Sequence, residues 1–380
     1  MRVLVDYRPA LRERSGVGEY IHALVRAYTR VHTDEVAVFT SSWRDRPAEG
    51  LARELGASVV DRRIPVRALN YAWHRLEWPP VETMAGSCDV VHAAHPLLIP
   101  SRRAAQVVTI HDLDFLSRPE RTRAEIRRDY VPLAAAHARR ADAVVTSTAH
   151  GKRQITDRLG VPSDRVHICT PGAPTWTTLG RQPHLPRDGY VLFIGTLEPR
   201  KNVATLLDAW ALLIERQALL PELVLAGRAT PAAALWLERL ERPPLAGRVS
   251  HRGYVHVQDR ERLFAGARLL VLPSFDEGFG LPALEAMSAG IPVVVSNRGA
   301  LPEVVGDAGT LIEPDDTAGL ANAIDALLRN DARATELAHA GLARARQFTW
   351  DAAANALRAA YLSALDHRRQ RDGTAARRTA

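Results

Sequence analysis

The chain reads as an α/β protein built in two halves, each a mostly parallel sheet covered by helices on both faces. Three observations predict this. Short apolar runs alternate with stretches of helical spacing along nearly all of the 380 residues, the pattern of strands buried on both faces. A segment dense in breakers, 170–188 with Pro171, Gly172, Pro174, Gly180, Pro183 and Pro186, interrupts the alternation near the middle and reads as an interdomain linker. A chain of this length also suggests two domains.

In the first half, strands are expected at 2–6, 36–40, 58–61, 89–92, 106–110, 143–147 and 166–169, with helices between most of them. The first helix spans 16–31, with Tyr20, Ile21, Leu24, Val25 and Tyr28 at helical spacing. After the breaker-rich segment the pattern restarts. Strands are expected at 190–195, 222–226, 248–253, 268–272, 291–296 and 310–312. Helices are expected at 202–216, 231–241, 259–265, 282–289, 316–328 and 331–345. Thr349 or Asp351 suits the N-cap of a last helix with Ala354, Leu357, Tyr361 and Leu365 along one face. From His367 the tail is basic, lacks apolar periodicity and reads as disordered.

Composition narrows the class. At 46% hydrophobic and 24% charged the chain is an ordinary globular protein, and no window of about 18 apolar residues exists to span a membrane. Met1-Arg-Val-Leu-Val-Asp6 starts as a strand, without the longer apolar core of a secretion signal. Cys88 and Cys169 have no metal-like spacing and fit free thiols of a cytoplasmic protein. A net charge of +7 and a pI near 9.8 admit anionic partners without choosing one. A nicotinamide dehydrogenase is disfavoured because the Gly-x-Gly-x-x-Gly fingerprint is absent: Gly16 and Gly18 are followed by Ile21. No basic strand interleaved with aromatics points to nucleic acid.

Chemistry concentrates in Ser274-Phe-Asp-Glu277-Gly278-Phe279-Gly280-Leu281-Pro282-Ala-Leu-Glu285-Ala-Met-Ser-Ala-Gly290. An apolar strand precedes it and another follows. Pro282 suits a first helical turn and Gly290 a left-handed C-cap. Gly278 and Gly280 let backbone N–H groups approach a ligand just ahead of a helix N-terminus, where anions are favoured. Glu277 and Glu285 flank this anion-friendly loop. A phosphorylated sugar explains both features, since carboxylates accept from hydroxyls while N–H groups hold phosphates.

This stretch resembles the signature of retaining glycosyltransferases of family 4 (group 1). The resemblance implies the GT-B fold, two Rossmann-like domains facing a central cleft. It implies that Glu277 approaches the donor sugar and Glu285 binds the nucleotide ribose, beside Gly278, Phe279, Gly280 and Leu281. Three further motifs are similar to the family's. Gly16 and, less directly, Gly18 correspond to a glycine loop at donor phosphate and sugar. His111, at the end of the 106–110 strand, corresponds to a histidine near the anomeric centre. Arg200-Lys201, after the 190–195 strand, corresponds to cations on the donor diphosphate. Thr196 stands where some members carry an arginine, so Arg200 takes the second positive charge. Asp112-Leu113-Asp114 spells a metal-binding D-x-D of the other major glycosyltransferase fold and reads as coincidental. Neither metal nor cofactor is expected.

The resemblance thus implies an acceptor-side domain at 1–180, a nucleotide-sugar donor domain at 181–348, a helix at 349–366 returning to the first domain, and the tail at 367–380. It implies transfer of a hexose, with GDP-mannose the first donor choice and UDP-hexoses next, to a glycan, lipid-linked or small-molecule acceptor. No covalent nucleophile is expected. The segment 102–140 holds nine arginines against five carboxylates, which suits either an anionic membrane surface, here the inner face, or an ordinary solvated surface. Rival readings are a catalytically silent nucleotide-sugar-binding protein, a sugar-nucleotide epimerase and a sugar-phosphate synthase.

Overall fold

The computed structural model describes residues 1–11, 14, 16–117, 119, 124–217 and 219–379, with backbone only at 124–126 and 375–379. Ser15 of the first glycine motif, and Arg118, Arg121 and Arg123 of the arginine-rich segment, lie outside the described residues.

The chain divides into two compact units, Met1–Gly172 with Thr349–Ala380, and Ala173–Phe348. Among the described residues the first holds seven strands: β1 (Arg2–Asp6), β2 (Glu35–Ser41), β3 (Ser58–Arg62), β4 (Val90–Ala93), β5 (Ala105–Thr109), β6 (Ala143–Thr146) and β7 (Val166–Ile168). Their order is β3-β2-β1-β4-β5-β6-β7. The second holds six: β8 (Tyr190–Ile194), β9 (Leu223–Ala226), β10 (Val249–His251), β11 (Ala267–Leu272), β12 (Val293–Ser296) and β13 (Thr310–Ile312), ordered β10-β9-β8-β11-β12-β13. The pairings are parallel throughout.

Each sheet reverses its strand order once, between β1 and β4 and between β8 and β11. At such a reversal the loops leaving the carboxyl ends of two neighbouring strands diverge, which opens room for a ligand. Burial on both faces explains why the strands read as continuous apolar runs. In β1, Val3 and Val5 join one apolar layer and Leu4 the other. The first of these layers is completed by Ala353, Ala354, Leu357, Ala360, Tyr361 and Ala364 of the helix Trp350–Thr379. Thr349 precedes that helix and accepts from Ala352 N at 3.2 Å through its hydroxyl.

Three expectations need correction. The segment 173–188 is no free linker: it lies against the second unit. Trp176 Nε1 donates to Ser288 Oγ at 2.8 Å, His184 N donates to Gly290 O at 2.8 Å, and Leu179 is buried. Breakers forbid regular structure there, but do not prevent apolar burial. The unit boundary accordingly falls at 172/173, earlier than 180. The tail read as disordered also continues the last helix to Thr379. His367 Nδ1 and Arg371 each reach the buried Asp142 at 3.2 Å, and Arg368 donates to Arg102 O. Basic residues that showed no apolar periodicity are tied down by charge instead. Among the described residues, no helix is long and apolar enough to cross a membrane.

Candidate active site

In the second unit the strand reversal brings together residues far apart in sequence. The chain leaving β8 forms a short turn, Pro199–Lys201. The chain leaving the neighbouring β11 forms the loop 273–280. The two loops are joined by Phe275 N donating to Arg200 O at 2.9 Å. Across this junction Lys201 Nζ donates to Glu277 Oε1 at 2.6 Å. Ser274 Oγ donates to the same oxygen at 2.9 Å. Arg200 donates to Asp276 O at 3.0 Å and lies 3.6 Å from Glu277 Oε2, while Glu198 accepts from its other edge at 3.1 Å.

Glu277 is buried at 6% exposure, where an unpaired carboxylate is strongly disfavoured. Burial pushes its pKa up, yet the charges of Lys201 and Arg200, with hydrogen bonds from Lys201 and Ser274, outweigh this and hold it below the usual range. The result is a preorganised cluster in which Lys201 and Arg200 surround the ionised Glu277, with Glu198 on the far edge of Arg200. The cations suit phosphate oxygens and the carboxylate suits sugar hydroxyls or developing positive charge.

The helix Leu281–Ala289 starts at this loop. Gly280 takes φ 96° at its N-cap, a left-handed value open to glycine, and Pro282 stands in the first turn. Gly290 closes the helix at φ 79°. Glu285, also buried, is ion-paired with Arg260. Phe279 turns its ring into the core edge-to-face against Phe348, and Leu281 packs on the same core. For both, the backbone rather than the side chain is what a ligand would use. Gly278 is half-buried in the loop between them and Glu277.

In the first unit, His111 follows β5. Its Nε2 is enclosed without a hydrogen-bond partner, and burial, opposed by Asp112, pushes its pKa down to about 4. It is therefore a neutral imidazole at neutral pH. Gly16 is the N-cap of the helix Val17–Val31, with open space at its Cβ position. Gly18 lies within the first turn, where a Cβ would stand 2.8 Å from Pro9 O, so its smallness serves close packing. Asp112 Oδ1 accepts from Asp114 N at 3.2 Å, a local turn in the D-x-D. Among the described residues no three His, Cys, Asp or Glu side chains group as metal ligands do.

Sequence reasoning missed several residues. Asn202 stands at the N-cap of the helix Val203–Arg216 and could be expected to cap it through its side chain. Instead it adopts φ 56°, makes no side-chain cap, and donates through Nδ2 to Pro273 O and Pro314 O at 3.0 and 2.7 Å. It thereby ties the lysine loop to the glutamate loop. Gly299 was overlooked; a Cβ there would lie 2.6 Å from Glu277 N, so only glycine lets the 297–300 turn press against that residue. Ser274, three residues before Glu277, carried a faint signal, and Arg260 carried none.

Two parallel sheets, with phosphate-compatible cations beside a buried carboxylate at a strand reversal, fit the GT-B fold that the sequence resemblance implies. Residues 188–330 match the family described as glycosyl transferases group 1, and 14–177 that described as glycosyltransferase family 4. The chain is 34% identical over 274 residues to the O-antigen chain mannosyltransferase B of Escherichia coli, an alignment covering 69% of this chain and 71% of that one. In fold it is similar to the sucrose-phosphate synthase from Thermosynechococcus elongatus, with TM-score 0.73 at 21% identity, covering 93% and 96% of the two chains. It is likewise similar to Anabaena HepE in complex with UDP and glucose, with TM-score 0.67 at 19% identity and 99% coverage of both. This chain belongs to the group 1, family 4 glycosyltransferases.

Proposed function

We propose that this glycosyltransferase moves mannose from GDP-mannose to a hydroxyl of a glycan, lipid-linked or small-molecule acceptor, with retention at the anomeric carbon and without a metal. The reading rests on one observation above all, the Lys201–Glu277 pair at 2.6 Å with Arg200 beside it. Lys201 and Arg200 take the donor diphosphate and stabilise the charge that grows on it as the glycosidic bond breaks. Glu277 positions the sugar and stabilises positive charge at the anomeric carbon, with no covalent role. Glu285 accepts from the ribose hydroxyls, His111 meets the sugar, and the Gly16–Gly18 loop meets phosphate and sugar. The departing diphosphate takes the acceptor proton. The name of the Escherichia coli relative supports mannose. The UDP held by Anabaena HepE supports the alternative, a UDP-hexose donor. A thermal-shift screen against GDP-, UDP- and ADP-sugars tests the choice, since a ligand that binds the folded state raises Tm. GDP-mannose should give the largest shift. A shift with UDP-sugars and none with GDP-mannose would overturn the donor assignment.

The enzyme would work on the cytoplasmic side, with no nucleic-acid partner, in peripheral contact with an anionic membrane. That contact is better supported by the helix Val66–Arg75 and the turn after it than by 102–140. Tyr71, Leu76 and Trp78 are 61, 61 and 65% exposed there, next in sequence to exposed Arg62, Arg63 and Arg67, and Trp43, after β2, is 72% exposed. Exposed aromatics with arginines suit a lipid interface. Co-sedimentation with anionic but not neutral vesicles, lost on Trp43→Ala with Trp78→Ala, is the expected result; equal recovery with both vesicle types would sink the idea.

A further inference from the structure

His111 differs from His92 and His95 of its unit in what holds its ring, and shares with the buried His74 the lack of a hydrogen bond at its imidazole. The imidazole of His92 is locked at both nitrogens, Nδ1 to Tyr361 Oη at 2.8 Å and Nε2 to Thr109 Oγ1 at 2.7 Å. His95 accepts from Leu97 N at Nδ1 and meets Asp6 through Nε2 at 3.2 Å. Among the described residues, neither nitrogen of His111 has a hydrogen bond or ion pair, and Nε2 is fully enclosed. A histidine that works on a ligand through one nitrogen is ordinarily oriented by a bond to the other. Here that bond is missing.

What faces the ring instead is Tyr20. The two rings stand edge-to-face, centroids 5.3 Å apart and planes 88° apart, the favoured geometry for aromatic pairs. Tyr20 is itself immobilised. It is 3% exposed, its hydroxyl donates to Cys169 O at 2.9 Å, and its ring leans on Trp350 at 6.1 Å. Trp350 in turn abuts Gly172, where a Cβ would come within 2.6 Å of the indole. The brace also explains the glycine motif's spacing. Gly18 lets the helix Val17–Val31 press onto the 8–10 turn, and Tyr20, two residues on, reaches the end of β5.

We infer that Tyr20 is a positioning residue for His111: its ring replaces the absent hydrogen bond, fixing the imidazole plane so that a nitrogen is presented to the donor sugar. The inference rests on the reading of His111 as the residue that meets that sugar. Misplacing a reacting or contacting group by about 1 Å can cost on the order of 10²-fold in rate, so a loosened ring should be felt in turnover before binding.

The test is a double-mutant cycle with a spectroscopic arm. Tyr20→Leu should lower kcat about tenfold or more with little change in donor KM. Tyr20→Phe, which keeps the ring and loses the hydroxyl, should recover most of that loss. In a His111→Ala background, Tyr20→Leu should cost nothing further, because the two residues act as one unit. An equal loss in both backgrounds would mean that Tyr20 acts only through the fold and would overturn the inference. In protein carrying 13C-labelled histidine, the His111 ring resonance should shift and broaden in Tyr20→Leu but not in Tyr20→Phe. An unmoved resonance in a folded Tyr20→Leu also overturns it. Should Tyr20→Leu fail to fold, Trp350→Leu, which removes the support behind Tyr20, should move the same resonance in the same way, and an unmoved resonance there counts against the inference. Full transfer by His111→Ala would remove the catalytic reading of His111, and the resonance would then decide the positioning claim alone.

Discussion

The two units share the strand order around their reversal and differ in what they bury besides compensated charge. The second buries compensated charge: Lys201 and Arg200 around Glu277, and Arg260 on Glu285. The first also buries compensated charge, Asp6 with Arg8, Asp129 with Arg128 and Asp142 with Arg371, and adds uncharged imidazole. Burial pushes the pKa of His22, His111 and His137 down to about 4 and those of His74 and His92 to about 3, and lowers that of His167. All six of these histidines belong to the first unit. A parallel sheet sets where loops converge, and the loop residues set whether the convergence is charged or neutral.

Removing the charge from the second unit should have the largest effect. Lys201→Ala should lower kcat on the order of 10²-fold or more, because the diphosphate gains charge as the bond breaks. Glu277→Gln should also lower kcat strongly. A raised donor KM with unchanged kcat in Lys201→Ala would leave the lysine as a binding residue only. Tm should be recorded for both, since losing one partner of a buried pair costs roughly 3–5 kcal/mol.

Acid should then separate the units. A histidine whose folded pKa lies below its unfolded value takes up its proton only on unfolding. Its contribution is intact above about pH 6.5 and is lost as pH falls toward the folded value. At pH 4, a histidine held at about 3 in the fold has lost about 3 kcal/mol. Amide exchange should show the first unit opening between pH 6.5 and 4 while the second stays protected. Simultaneous opening of both would count against this contrast. The carboxylate of Glu277, whose pKa is lowered, gives up its contribution only below the usual carboxylate range.

Smaller effects follow. Glu285→Gln should raise donor KM on the order of tenfold, the worth of a hydrogen bond to a charged group, with little change in kcat. A kcat loss there with a wild-type Glu277→Gln would reverse the two roles. Smallest of all, Asp114→Ala should be mild and chelator should leave turnover as it was, if the Arg200–Lys201 pair takes the role of a metal as proposed. Activity abolished by chelator and restored by manganese or magnesium would make the D-x-D a working site.

Much of this was legible in one dimension. The strands among the described residues fall where short apolar runs were expected, most plainly the central ones buried on both faces, which leave little room for polar residues; edge strands such as β3 and β10 are mixed and partly exposed. Glu277, Glu285, Lys201 and His111 were picked out by strand-end position only together with the resemblance of their surroundings to the family's motifs. The 170–188 segment misled because breakers report local conformation and say nothing of packing. The tail misled because its anchor, Asp142, lies more than 200 residues away.

By itself, then, the sequence determined the alternation of elements, the parallel sheets and the residue types at the strand ends, since periodicity and turn chemistry are local. The tertiary structure decided partnership. That Lys201 pairs with Glu277 across 76 residues, that Asn202 bridges two loops, that Arg260 claims Glu285 and that Tyr20 faces His111 depends on strand order and helix approach. Those are settled only when apolar layers close over both sheets, and no spacing along the chain encodes the resulting distances.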